Sequence, residues 1–189
     1  MTGFFLSFLV TGIVSAATLS EVTFPDKIHV VGQNLVLNGL GMRRKLIFDV
    51  YVAALYLKQK QKDPNAILSS SDPKKLVLEF VRDVDYEKMN DAWDEAYEKN
   101  TSSDQKPQLK PLLDELKSLM KSMDEAKEGD LMAFTFTQTS TKVEVVRKGT
   151  SKAELEKEFK SKDFGKMLLT IWLGQEPPNE SLKEGILGL

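Results

Sequence analysis

The sequence predicts an α+β domain: an antiparallel sheet with a layer of helices on one face. Three observations carry that expectation. Segments of period-two apolar alternation come first, two amphipathic helical stretches follow, and a second alternating pair precedes the last helices. This order lacks the strict βαβα alternation of a parallel sheet. With 189 residues, 41% hydrophobic and 29% charged, the chain has the length and balance of one domain that buries its own core.

Residues 1–17 carry no charged side chain, are apolar over 4–14 and end in the small residues Ser15, Ala16 and Ala17. The run is too short to span a bilayer comfortably. It predicts a signal peptide over 1–17, although no Lys or Arg precedes the apolar stretch, and an exported domain over 18–189, periplasmic or secreted. Residues 18–31 alternate loosely through Val22, Phe24, Ile28 and Val30, which predicts one or two early strands. Residues 34–37 form a short strand, and Asn38-Gly39 is a hairpin-turn signal. The β-branched and aromatic run over 43–57 reads as strand. Asp63-Pro64 opens a short helix, and residues 75–80 form another strand.

Tyr86, Met89, Trp93 and Tyr97 fall at helical spacing behind Asp85 as N-cap. A second helix carries Leu112, Leu113, Leu116, Leu119, Met120 and Met123, with Pro111 in its first turn. Residues 131–137 and 141–146 alternate as a hairpin turning at Thr139-Ser140. The charge-rich stretch 148–162 reads as a solvated connection or helix face. A third helix buries Phe164, Met167, Leu168, Ile171 and Trp172 and stops at Gly174, and a short helix over 181–187 closes the chain.

Composition excludes several functions. A net charge of -2 leaves no nucleic-acid footprint. No cysteine and one histidine, His29, remove most zinc and copper chemistry, so no metal or cofactor is expected. His29 reads as a surface or capping residue. There is no G-x-S-x-G, H-E-x-x-H, Walker or dinucleotide motif; Gly39 and Gly41 are two glycines of a phosphate loop, but Arg44 stands where the third belongs. The sequons at Asn100 and Asn179 matter only in a eukaryotic secretory route. No membrane association is indicated beyond the leader.

Arg43 and Tyr51 stand out because an Arg and a Tyr on one strand face can hold a carboxylate or phenolate between a fixed charge and a hydroxyl donor. In a straight strand the two would lie roughly 26 Å apart, at about 3.3 Å per residue. They meet only if the run folds into a hairpin between Arg44 and Asp49, where no Gly or Pro marks a turn. An arginine at a strand end and a tyrosine in the core is the plainer account.

The stretch Leu37-Asn38-Gly39-Leu40-Gly41-Met42-Arg43, then Phe48-Asp49-Val50-Tyr51-Val52-Ala53-Ala54-Leu55-Tyr56-Leu57, resembles the chalcone isomerase-like family. Leu76-Val77-Leu78-Glu79-Phe80-Val81-Arg82-Asp83-Val84 and the closing Ile171-Trp172-Leu173-Gly174…Pro178 also fit, the latter being similar to its bacterial branch, whose members carry signal peptides. The resemblance implies an open-faced β-sandwich with a ligand cleft between sheet and helices. It implies Arg43 as the residue that holds a substrate oxyanion, with Tyr86 and Thr170 as looser matches to further polar groups. Tyr51 stands where the enzymes carry a threonine, and Trp93 where they carry an asparagine. The Arg43-plus-Tyr51 pairing is closer to the family's non-catalytic fatty-acid-binding branch, where such a pair grips a carboxylate.

Three functions follow. The first is a non-catalytic protein binding a small apolar acid, such as a fatty acid, through Arg43, Tyr51, Tyr86, Trp93 and Thr170. The second is an intramolecular lyase of the chalcone isomerase type, and the third a structural or interaction module with no ligand.

Overall fold

A computed structural model describes residues 15–189. The leader expected over 1–17 falls largely outside the described residues. Ala16 and Ala17 stand in β1 (Ala16–Leu19), which pairs with β2 (Val22–Pro25). β3 (Lys27–Val30) turns through Val31 and Gly32, both at positive φ, into the long β4 (Gln33–Lys45). The early alternating region therefore supplies three strands.

The run over 43–57 is not one strand. β4 ends at Lys45, and β5 (Phe48–Leu57) returns antiparallel after a two-residue turn at Leu46 and Ile47. Asn38-Gly39, expected as the hairpin turn, lies instead in mid-β4, where the register shifts between Leu37 and Gly39. The side chain of this bulged residue bonds outward: Asn38 Nδ2 donates to the Ile186 carbonyl (2.8 Å), and Oδ1 accepts from the Gln61 N–H (2.8 Å). Asn-Gly thus marks a bulge rather than a turn, with neither residue at positive φ.

α1 (Pro64–Ser69) starts at Asp63, whose carboxylate accepts from the Asn65 N–H. β6 (Lys74–Phe80) follows, then the short β7 (Val84–Asp85) and α2 (Tyr86–Asn100). α3 (Lys106–Lys121) begins one turn earlier than expected. Pro107 occupies its first turn, and Pro111, expected there, is instead the sixth residue, past the free N–H groups of the helix start. β8 (Glu125–Ala126) pairs with β7, and β9 (Leu131–Phe136) and β10 (Thr141–Val146) form the expected hairpin. The stretch 148–162 is not only a solvated connection: β11 (Leu155–Phe159) pairs with β10 and buries Leu155 and Phe159, with Glu156 and Glu158 on the exposed face and Lys157 reaching Glu115 of α3. α4 (Lys162–Leu173), capped by Ser161, and α5 (Glu180–Leu187) complete the chain.

The main sheet has seven antiparallel strands in the order β11-β10-β9-β6-β5-β4-β3. One face, including Leu55, Leu76, Leu78 and Phe134, packs against the helices. On the opposite face Val52, Ala54, Tyr56, Leu35 and Met42 pack with Val22 and Phe24 of the β1–β2 hairpin. α4 is the central helix, with Phe164, Leu168 and Ile171 among eight buried residues.

α5 explains the two glycines of β4. A Cβ at Gly39 would stand 2.2 Å from the Gly185 carbonyl oxygen, and one at Gly41 2.2 Å from that of Leu182. Helix and strand thus touch backbone to backbone, running in opposite directions. The glycine pair serves close packing, not phosphate binding.

Candidate functional site

Gly39, Gly41 and Arg43 share one face of β4. The two glycines lie under α5; Arg43 comes just past the N-terminal end of that helix. Its Nη1 donates to the Pro178 carbonyl (3.0 Å) and to the Arg44 carbonyl. Asn179 clamps the same place, with Nδ2 donating to the Met42 carbonyl (3.1 Å) and Oδ1 accepting from the Arg44 N–H (3.1 Å). The β4–β5 register then sets Arg43 directly opposite Tyr51. The 26 Å separation of a straight strand collapses to one interstrand step, because the chain turns at Leu46-Ile47 without Gly or Pro.

These residues line a cleft of about 510 Å³ between the sheet and the helix layer. Its walls are mainly apolar: Val50, Phe80, Met89, Trp93, Ile171 and Trp172. Trp93, Phe134 and Trp172 form a mutual aromatic cluster with ring centroids 5.4–6.3 Å apart. Tyr51 packs edge-on to Phe80 and accepts a hydrogen bond from Trp172 Nε1 (3.0 Å). Burial pushes the Tyr51 hydroxyl up to about 12, against the Trp172 N–H and the Arg43 charge, which both pull it down. At neutral pH the group is therefore a protonated donor, not a phenolate base. Its oxygen already accepts from Trp172, and its proton has no acceptor among the described residues.

The side chain of Arg43 has no carboxylate within 4.0 Å among the described residues; nor have those of Lys45 and Arg82 at the mouth. Glu95, on the rim, is held below its ordinary range by Lys99, with smaller contributions from Lys45 and Arg43. Of the five expected site residues, the structure brings Arg43, Tyr51 and Trp93 together on the cleft. Tyr86 begins α2, its N–H bonded to the Asp124 carbonyl, and Thr170 turns its hydroxyl back to the Lys166 carbonyl (2.7 Å); neither lines the cleft. Sequence reasoning missed Trp172 as the partner of Tyr51 and Pro178 as the anchor of Arg43. Both belong to the closing Trp-Leu-Gly…Pro pattern, whose local sequence marks Trp172 only as core and Pro178 only as part of a family likeness. No group of three or more acidic or histidine side chains that could hold a metal occurs among the described residues.

A family profile described as chalcone isomerase-like matches residues 16–188. The chain belongs to that family. Among solved structures this chalcone isomerase-like chain is similar to a fatty-acid binding protein of Arabidopsis thaliana. The TM-score is 0.68 and the identity 16%, over 92% of this chain and 96% of that one. At that identity the likeness establishes the fold: a curled antiparallel sheet carrying helices. A sequence search of the curated proteins returned no match.

Proposed function

We propose that this chalcone isomerase-like domain is a non-catalytic binding protein for a small apolar acid, such as a fatty acid. The observation that carries the reading is the Arg43–Tyr51 pair, set opposite each other at one end of an apolar cleft. A fixed cation without a protein carboxylate, beside a neutral O–H donor, is the chemistry that grips one carboxylate. The Phe80, Met89, Trp93 and Trp172 walls suit an alkyl chain, and about 510 Å³ falls within the about 300–1,000 Å³ usual for ligand clefts. That the Arabidopsis thaliana neighbour is a fatty-acid binding protein supports the ligand class. A ring-closing reaction would need polar groups where this chain presents Tyr51 and the ring of Trp93.

Export through the expected leader is part of the same proposal, tested by following the full-length chain through a cell fraction. The ligand is tested by calorimetric titration of delipidated protein with saturated fatty acids of increasing length. Binding to the wild type that weakens about 10- to 100-fold in Arg43→Ala supports the proposal. No binding at any chain length sinks it, and turnover of a chalcone that needs Arg43 would replace it with the lyase reading.

A further inference from the structure

We propose that the β4–β5 hairpin tip is a peripheral membrane-docking element that seats on an anionic phospholipid surface. The tip carries three consecutive large apolar residues, and the fold buries little of them: Leu46 is 91% exposed, Ile47 87% and Phe48 49%. The other hairpin turns carry no such run. Ser20-Glu21 joins β1 to β2, Val31-Gly32 joins β3 to β4 with one exposed apolar residue, and Thr139-Ser140 precedes β10. Leu46 holds a positive φ of 57°, as Ser20, Glu21 and Val31 do in their turns, a position that two-residue hairpins usually give to glycine. The chain thus keeps a bulky apolar side chain where the backbone disfavours one and the core gains nothing from it.

Cations surround this tip. Arg43, Arg44 and Lys45 precede it directly, and Arg82 stacks on the Phe48 ring at 4.5 Å. Asp49 offsets Arg44, whereas Lys45 and Arg82 have no carboxylate within 4.0 Å among the described residues. In a chain of net charge -2, this excess is local to one end of the sheet. An apolar tip above a basic collar is the arrangement that inserts into the headgroup layer of an anionic leaflet. A second copy of the chain is a poorer occupant, since three side chains on a convex turn fall short of the roughly 800 Å² per partner of a stable protein interface. No helix among the described residues is long and apolar enough to cross a bilayer, so the contact is superficial. Lys45, Leu46 and Phe48 also line the cleft, so docking turns its mouth towards the lipid. The proposal concerns the tip alone and holds whatever the cleft binds.

The test is co-sedimentation of the whole domain with phosphatidylcholine vesicles, with and without phosphatidylglycerol. Ile47 and Val31 provide matched variants. Both are exposed residues at hairpin tips, Val31 being 59% exposed at the opposite end of β4, and neither lines the cleft. Wild type and Val31→Asp are expected to sediment with the anionic vesicles, less so in high salt. Ile47→Asp is expected to bind at least about tenfold more weakly with an unchanged melting temperature. Three results overturn the proposal: no sedimentation of the wild type with anionic vesicles, equal losses in Val31→Asp and Ile47→Asp, or undiminished binding by Ile47→Asp. Self-association abolished by Ile47→Asp without vesicle binding would assign the tip to a second copy instead.

Discussion

Two arginines of this domain lie in partly buried surroundings and have opposite fates. Arg147 uses four of its five N–H groups within the chain. It donates to Asp130 (2.7 Å), to Glu154 (2.6 Å) and to the carbonyls of Met123 and Glu125. Asp130, 1% exposed, also accepts from the N–H groups of Lys127 and Lys148. Every strong group there has a partner, so the cluster ties the β8 turn to β10 and can do nothing else. Arg43 meets only carbonyl oxygens, at the end of an apolar cleft and beside a hydroxyl that keeps its own proton. A charge fully paired within the chain is a brace; a charge held in place but left without a carboxylate is a binding group.

The comparison can be broken by exchanging the outcomes of mutation. Arg147→Ala leaves a buried carboxylate unpaired and is expected to cost about 3 kcal/mol of unfolding free energy in urea titration. Arg43→Ala is expected to change stability by less than about 1 kcal/mol while weakening fatty-acid binding about 10- to 100-fold, the loss of a charge-assisted hydrogen bond. If Arg43→Ala unfolds the domain and leaves binding intact, the two roles have been assigned the wrong way round.

Acid sharpens the contrast. Burial alone would raise the Asp130 carboxyl, but the Lys148 N–H, Arg147 and the Lys127 N–H together hold it below its ordinary value. The folded chain therefore binds that proton more weakly than the unfolded chain does. This stabilisation is complete above about pH 4, the ordinary carboxylate value, and is lost as the pH falls through the lower folded value. Melting temperature followed from neutral pH into that range should drop in the wild type and in Arg43→Ala, and drop less in Arg147→Ala. The smallest effect belongs to Tyr51→Phe. It strips the acceptor from Trp172 Nε1 and the donor from the cleft, which should cost about 1 kcal/mol in stability and a few-fold in ligand affinity.

Most elements were legible because their periodicity is strong. The apolar spacing of Tyr86, Met89, Trp93 and Tyr97, and the alternation of Met132, Phe134 and Phe136, are written plainly in the chain. The turns were not. Asn38-Gly39 carries the usual hairpin signal but serves as a bulge, and the real turn at Leu46-Ile47 carries no such signal, because an apolar pair occupies it. That substitution also hid the exposed tip, whose residues read as the interior of one long strand. The Arg43–Tyr51 pair was legible as residue types and as a family likeness, but its geometry hangs on that unmarked turn. Trp172 and Pro178 reach the site from more than a hundred residues away, across a separation that no local pattern records.

The backbone-to-backbone seat of α5 on β4 governs when the molecule can be finished during its synthesis. The glycines at 39 and 41 emerge early, yet the surface they are shaped to receive comes at residues 182 and 185. Pro178 and Asn179, which fix Arg43 and the strand edge beside it, emerge at the same late stage. Long-range contacts of this kind make closure slow. Until the last helix has cleared the ribosome, β4 stays uncovered and the cleft lacks part of its wall. The nascent chain therefore holds an uncovered β4 until residues 178–185 have emerged, and its anion anchor is set only then.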